Sequence, residues 1–197
     1  MCIRDSVCTL LRNPHIARNE EMQLYPLEDS KNLRDQYLGH LTDVVMVGYT
    51  SLAAERLGGA DYDGDMIKTI SDPILNECVK RNIHHDPPQP RSIFSRSHNL
   101  PLLMIPMAQP QIRSADDWEA RFETVRSTFS SRVGQICNAA LDRSIIAYNE
   151  NSDVEERERC REETETLAIL TGLEIDSAKS GIRPDLGEYC LLYTSDA

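Results

Sequence analysis

The order of hydrophobic and polar positions divides the chain into a strand-rich first part and a helical second part. Three short runs of apolar and β-branched residues have the length and composition of strands: VCTLLR at 7–12, DVVMVGY at Asp43–Tyr49 and MIKTI at 66–70. The Asn13-Pro14 step ends the first of these runs. A small sheet is therefore predicted in this part of the chain.

Two short helices are predicted among these strands. The run TSLAAERLGG has Thr50 or Ser51 as its N-cap, and the pair Gly58-Gly59 ends it. The run DPILNECVKRN has Asp72 as its N-cap, a proline at the first helical position and basic residues at its end. Residues 7–83 are thus predicted to form one strand-bearing portion.

A proline-rich segment at 84–110 is predicted to connect the two parts, with one strand at Leu102–Ile105. Beyond it, the region 111–189 has helical periodicity. A predicted cap at Ser114 precedes apolar residues spaced three or four apart: Trp118, Phe122, Val125, Phe129, Val133 and Ile136. This spacing predicts one long amphipathic helix or two in series. We interpret its aromatic residues as core contacts and not as a platform for stacking bases.

A last helix is predicted to begin at a capping box at Ser152 and to extend to about Leu173. Its charged run EERERCREETE is typical of an exposed helix face with pairs at i,i+4 spacing. The fold class predicted from the whole pattern is α+β, with strands followed by a helical region.

Composition narrows the class of protein. The chain has 197 residues, of which 40% are hydrophobic and 27% charged, which is typical of globular proteins. Its longest apolar runs fall short of the roughly 18 residues that a membrane span needs. The formal net charge of −11 makes the chain by itself a poor surface for nucleic acid. A nucleic-acid partner would need basic surface supplied by other parts of the polypeptide.

The two ends of the chain are expected to differ in origin from the rest. MCIRDS and CLLYTSDA are encoded by DNA strings that are largely reverse complements and that resemble a transposon-end sequencing adapter. We therefore expect residues 1–6 and 190–197 to be adapter-derived and Val7–Tyr189 to be an internal fragment of a longer protein. The remaining cysteines have no metal-binding spacing and favour a reducing, cytoplasmic or other intracellular location.

The stretch GGADYDGDMIKTI concentrates negative charge in an already acidic chain. Asp61, Asp63 and Asp65 alternate along it, and their mutual repulsion is costly unless a cation lies among them. Gly64 gives the backbone the freedom to curl, so that the three carboxylates converge. Oxygen ligands of this kind suit a hard cation such as Mg²⁺.

Two families with acidic loops fit the stretch poorly. An EF-hand counted from Asp61 needs glycine at its sixth position, which is Met66 here. A phosphatase of the haloacid-dehalogenase type has its DxDG loop directly after a hydrophobic strand. Here AERLGGA, a helix end, precedes the aspartates, and the predicted strand follows them.

A third family accounts for four segments in order. GGADYDGDMI resembles the DxDGD catalytic loop of the double-psi-barrel RNA polymerases. LLRNPHIARNEE resembles the RNPxLxxGD segment upstream of that loop. VGQICNAALDRSIIAY resembles GxIxNxHxxxAD, and LAILTGLEIDSAKSG resembles LAxLxxxAVDxxKTG. The last two belong to the RNA-dependent, silencing-type branch, which includes phage-type single-chain enzymes. The histidine of the third segment is replaced by Ala140 here.

The resemblance implies a fold and a reaction. The first part of the chain would be the end of a double-psi β-barrel that carries the DxDGD loop, followed by the helical region. The reaction would be nucleotidyl transfer from NTPs to an RNA 3′ end. Asp61, Asp63 and Asp65 would hold two Mg²⁺ ions, or Mn²⁺ in their place. Arg12 would lie near the incoming nucleotide or its ribose, the alternative being a surface arginine at a strand end.

The resemblance also implies partners. Lys179 and Arg183 would contact the backbone of template or product, although Lys179 is equally suited to capping a helix end. A second barrel elsewhere in the same polypeptide would bind the triphosphate, so the fragment alone would be inactive. The template stays open between RNA, which this branch favours, and DNA, as in a DNA-directed phage-type polymerase. A metal-dependent phosphohydrolase and an acidic interaction module remain the alternatives from other classes.

Overall fold

A computed structural model of the chain describes residues 7–25, 29–48, 51–81, 83–85, 96–98, 102–103, 112, 114–187 and 189. The described residues fall into two compact units. The first unit is drawn from Met1–Asn13 and Glu21–Pro101, and the second from Pro14–Glu20 and Leu102–Ala197. The segment that follows the Asn13-Pro14 step therefore groups with the helices.

A three-stranded antiparallel sheet organises the first unit. Its order is β2-β1-β3, with β1 at Cys8–Arg12, β2 at Met22–Leu24 and β3 at Ile67–Ile70. Cys8 and Leu10 of the central strand are fully buried and form a core with Leu57. The strands predicted at 7–12 and 66–70 are confirmed, because both apolar runs find antiparallel partners.

Three helices and a second pair of strands complete the first unit. The helices are α1 at Leu33–Leu38, α2 at Ala53–Arg56 and α3 at Pro73–Arg81, and the strands are β4 at Ile83–His85 and β5 at Arg96–His98. Asp72 caps α3 as predicted, because its Oδ1 accepts hydrogen bonds from the N–H groups of Ile74 and Leu75. Leu52 is the N-cap residue of α2 and makes no side-chain cap, so the predicted Thr50 or Ser51 cap is wrong at Ser51; Thr50 lies outside the described residues.

The strand predicted at Asp43–Tyr49 does not form at 43–48, and Tyr49 lies outside the described residues. The apolar pattern is nevertheless used, because Val45 and Val47 pack against the core of Cys8, Leu10 and Leu57. The intervening Val44 and Met46 are exposed. The segment thus alternates as a strand does, but the described residues offer it no strand partner. The strand predicted at Leu102–Ile105 is absent at 102–103 and otherwise lies outside the described residues.

The second unit is built on two long helices. They are α5 at Val133–Ala147 and α6 at Val154–Ser180, preceded by α4 at Trp118–Thr128. Buried residues of α5 and α6 form a shared core with one residue that follows α6: Ile136, Ala139, Ala140, Leu167 and Leu186. The periodic region predicted after the connector, Trp118 to Ile136, therefore forms two helices in series, α4 and α5. None of the described helices is both long and apolar enough to cross a membrane.

Helix ends and one helix face differ from prediction. Asp117 caps α4 in place of Ser114, and Asp153 caps α6 in place of Ser152. Helix α6 also continues past Leu173 to Ser180, where Gly181 ends it at φ 73°. The aromatic residues of α4 and its C-cap are not core contacts: Trp118 is 70% exposed, and Phe122 and the C-cap residue Phe129 are also exposed. The periodicity identified the apolar face but not whether another element covers it.

Candidate metal centre

The aspartate-bearing loop connects α2 to β3 and is anchored at both ends. Leu57, immediately after α2, is buried in the core of the first unit. Ile67 begins β3 and pairs with Arg12 at the end of β1. The loop between these anchors is only nine residues long, from Gly58 to Met66, so core packing and the sheet together restrict where its side chains can lie.

The backbone of this loop curls through three positions with positive φ. Gly59 has φ 70° and Gly64 has φ 110°, conformations that glycine adopts without steric cost. Tyr62 has φ 64°, which is uncommon for a bulky residue and costs about 1 kcal/mol or more. The Tyr62 hydroxyl accepts a hydrogen bond of 3.3 Å from the Ala54 N–H. The role expected of Gly64 agrees with this curled path.

The three aspartates converge as the alternation predicted. One carboxylate oxygen from each of Asp61, Asp63 and Asp65 lies within 4.8 Å of the others. Asp61 and Asp63 are exposed, whereas the Asp65 side chain is only 12% exposed. Three anionic oxygen donors that close, two of them open to solvent, are a donor set that suits a hard divalent cation. These residues could hold a metal ion.

Asp65 is held by groups on both of its oxygens. Its Oδ1 accepts a 2.6 Å hydrogen bond from Arg12 Nε, and its Oδ2 accepts one of 3.0 Å from the Asp61 N–H. Burial acts to raise the pKa of Asp65, but the backbone N–H groups of Asp61 and Tyr62 and the charged Arg12 outweigh it, so the pKa lies below its usual value. Asp65 therefore stays ionised.

Arg12 belongs to this loop as much as to its strand. Its Nη1 donates a 2.7 Å hydrogen bond to the carbonyl of Gly58, while its Nε binds Asp65. Sequence reasoning placed Arg12 near a nucleotide and missed both contacts. The only signal that could have found them is the antiparallel pairing of the predicted strands at 7–12 and 66–70, which brings the end of one beside the start of the other.

The other predicted contact residues belong to the second unit. Lys179 is exposed near the end of α6, with Asp176 Oδ1 4.0 Å from its Nζ. Arg183 Nη1 lies 4.0 Å from Glu174 Oε1, and Glu174 is fully buried.

Sequence reasoning also missed a buried ion-pair cluster around Glu174. Its Oε2 accepts hydrogen bonds from Arg132, at 2.8 Å from Nη2, and its Oε1 accepts one of 2.9 Å from the Arg132 N–H. Arg132 Nη2 also donates to the carbonyl of Pro184. Glu174 itself lies in the fourth of the resembling segments, whereas Arg132 and Arg183 lie outside it. In the third segment, Ala140 is buried in the α5–α6 core, a place suited to a small apolar side chain.

Comparison with known proteins identifies the family. A family model described as RNA dependent RNA polymerase matches residues 3–193. No curated protein and no solved structure matches the chain. The family match includes the β1 end, the aspartate loop and all three helices of the second unit. It therefore covers nearly the whole chain, which belongs to the RNA-dependent RNA polymerase family.

Proposed function

We propose that this chain carries the metal-binding loop of an RNA polymerase that transfers nucleotides from NTPs to an RNA 3′ end. The observation that carries the proposal is the convergence of Asp61, Asp63 and Asp65 within 4.8 Å in a member of this family. The loop joins a helix to a sheet strand, and Arg12 of the neighbouring strand contacts it. The three-stranded sheet is proposed to be the end of a double-psi β-barrel.

The donor set supports Mg²⁺ as the bound ion, with Mn²⁺ as a substitute. Mg²⁺ prefers a few carboxylate oxygens together with water and substrate phosphates, and Asp61 and Asp63 are exposed, so that such ligands can reach them. When bound, two such ions supply activation of the 3′-hydroxyl and charge neutralisation at the pyrophosphate leaving group. Asp65 is less exposed, and Arg12 and the Asp61 N–H already hold its carboxylate. It would therefore fix the position of the metal site at this end of the loop.

The order of elements supports polymerase over phosphohydrolase chemistry. A phosphohydrolase of the haloacid-dehalogenase type requires a strand directly before Asp61, whereas helix α2 and the turn at Gly58–Gly59 occupy that place. Strand β3 begins two residues after Asp65, as the polymerase loop requires. The family match supports the same choice.

The remaining roles are assigned by exposure and charge. The Nη2 group of Arg12 forms no hydrogen bond with the described residues and is proposed to contact the nucleotide or its ribose. Lys179 is exposed and suits a phosphate contact on template or product. Arg183 suits it less, because Glu174 already offsets its charge. Because the chain is acidic, we propose that a second barrel elsewhere in the polypeptide supplies the basic residues that neutralise the triphosphate.

Primer extension by the full-length polymerase tests this function. With Mg²⁺ and NTPs we expect RNA synthesis on single-stranded RNA, and Asp63→Asn should reduce incorporation by a factor of about 10³ or more because it removes a ligand of the metal site. The matched control is Asp116→Asn, which changes an exposed aspartate before α4 and should retain full activity. Synthesis on single-stranded DNA alone would assign the DNA-directed alternative. Undiminished synthesis by Asp63→Asn would contradict the proposal.

A further inference from the structure

In the first unit, hydrogen bonds hold the Arg12 guanidinium beside the aspartate loop, where it can affect how the loop binds a cation. Three carboxylates within 4.8 Å repel one another by about 1 kcal/mol per pair in water and by more where solvent is excluded. The loop must hold them together before any cation arrives. Arg12 is the cation that the structure itself supplies, since its Nε lies 2.6 Å from Asp65 Oδ1.

The geometry points to a second, more specific role: we propose that Arg12 is a positioning residue that fixes Asp65 as a preformed metal ligand. This inference rests on the proposed function of the loop. Arg12 Nε holds one Asp65 oxygen and the Asp61 N–H holds the other, so the Asp65 carboxylate is locked in one orientation. Outer partners that orient a ligand in this way commonly contribute tenfold to hundredfold to metal affinity.

Arg12 is itself locked in place. Its backbone pairs with Ile67 across the sheet, and its Nη1 donates a 2.7 Å hydrogen bond to the Gly58 carbonyl. Its side chain is only 17% exposed. The planar guanidinium uses one nitrogen for Asp65 and another for the Gly58 carbonyl, at the two ends of the same loop. The single ammonium nitrogen of lysine cannot reproduce this fork geometry. Arg12 thus joins strand β1 to the turn after α2 and to the end of the loop that precedes β3.

Gly59 makes room for this fork. A Cβ placed on Gly59 would lie 3.0 Å from Arg12 Nη1, tighter than nine in ten real Cβ contacts, and Gly59 also has φ 70°. Gly187 has φ 45° but nothing lies within 4 Å of the corresponding Cβ. An alanine at Gly59 therefore strains the backbone and displaces Arg12, whereas an alanine at Gly187 strains the backbone alone. The pair separates the two effects.

Two roles of Arg12 predict opposite changes in metal affinity. If Arg12 only neutralises charge, removing it leaves a more negative loop, and a divalent cation binds more tightly. If Arg12 positions Asp65, removing it frees the carboxylate, and binding weakens. Lysine at this position preserves the charge and loses the fork, so it restores the first role and not the second.

The experiment is a Mn²⁺ titration of the full 197-residue chain, followed by the electron paramagnetic resonance signal of free Mn²⁺. We expect Arg12→Ala and Arg12→Lys each to raise the Mn²⁺ dissociation constant about tenfold. Gly59→Ala should shift it in the same direction by a smaller factor, and Gly187→Ala should leave it unchanged. Circular dichroism of each variant verifies that it is folded; should Arg12→Ala unfold, Arg12→Lys and Gly59→Ala decide the outcome.

The possible results separate this inference from the function on which it rests. Equal or tighter Mn²⁺ binding by folded Arg12→Ala, with the wild-type chain binding Mn²⁺, would overturn the positioning role and leave the metal loop intact. If Arg12→Ala weakens binding and Arg12→Lys restores it fully, the two-nitrogen fork is not needed to hold Asp65, and the positioning role is overturned as well. Absence of Mn²⁺ binding by the wild-type chain, matched by Asp63→Asn, would count against the metal loop itself.

Discussion

At the scale of single residues, the environment of each side chain decides its reactivity, and the cysteines show this most simply. Cys8 and Cys160 are buried, and Cys78 on α3 is exposed. Burial raises the pKa of the Cys8 and Cys160 thiols, which lowers the fraction of reactive thiolate at neutral pH. For Cys160 the nearby Glu163 acts in the same direction.

We therefore predict that Cys78 is the fastest of these three cysteines to react with a thiol reagent. In a chain with Cys2 and Cys190 replaced by serine, Cys78 should be modified about tenfold faster than Cys8 or Cys160 at pH 7, because Cys78 is exposed and the other two thiols are buried. The measurement is labelling with a chromogenic disulfide, with each site located by mass spectrometry. Cys78→Ser is the control that should remove the fast phase. A surviving fast phase that maps to Cys8 or Cys160, and not to the partly exposed Cys137, would contradict the assignment of those two cysteines to the core.

Sequence patterns predicted the three converging carboxylates of the candidate site but not the groups that hold them in place. Alternating Asp61, Asp63 and Asp65 around Gly64 are local in sequence, so their convergence could be anticipated from loop chemistry alone. The Arg12–Asp65 contact joins residues 53 positions apart and depends on strand register, which no local pattern encodes. For the same reason, the role expected of Arg12 toward a nucleotide omitted its bonds to the loop.

At the scale of elements, prediction succeeded where a pattern carried its own boundary signals. Helix α3 follows from Asp72 and Pro73, and β1 and β3 follow from short apolar runs. The strand predicted at Asp43–Tyr49 was wrong at 43–48 because a strand also needs a partner, and partners are set by the whole fold. Residue spacing identified the apolar face of α4, yet only tertiary packing determines whether such a face is covered.

The α5–α6 pair depends on one buried carboxylate. Glu174 of α6 accepts a hydrogen bond from the Arg132 N–H at the start of α5, where a negative charge also interacts favourably with the helix dipole. It binds the Arg132 guanidinium as well, and Arg183 lies 4.0 Å away. Two helices and the segment after α6 are thus joined through a residue that is fully buried.

We predict that Glu174→Gln destabilises the second unit by about 3 kcal/mol, because it leaves partly buried arginine charge without its partner. Chemical denaturation followed by helical circular dichroism measures the free energy of unfolding. Glu162→Gln, an exposed position on the same helix, is the matched control and should change it by less than about 0.5 kcal/mol. A similar small change for Glu174→Gln would show that the ion pairs do not hold these helices together.

At the scale of the whole molecule, the negative net charge of the chain is unfavourable for the binding of nucleic acid that the proposed function needs. A polymerase must hold nucleic acid, but this chain has 32 acidic against 21 basic residues. Its second unit also pairs many of its arginines with glutamates, among them Arg143 with Glu163 at 2.5 Å and Arg132 with Glu174 at 2.8 Å. Such pairs remove positive charge that phosphate would otherwise contact. The described residues therefore supply carboxylates for cations more readily than cations for phosphates.

This excess of acidic over basic residues predicts that the 197-residue chain by itself binds single-stranded RNA weakly. Its dissociation constant should lie above about 10⁻⁴ M at physiological salt, at the weak end of non-specific binding. Fluorescence anisotropy of a labelled oligonucleotide measures it, with a salt titration to detect phosphate contacts. Mg²⁺ should strengthen binding modestly by offsetting the aspartates, and Asp61→Asn with Asp63→Asn should remove that Mg²⁺ dependence. Micromolar binding with a steep salt dependence would instead show that the chain has its own basic surface for RNA. The variant Lys179→Ala would then test whether the exposed end of α6 forms part of that surface.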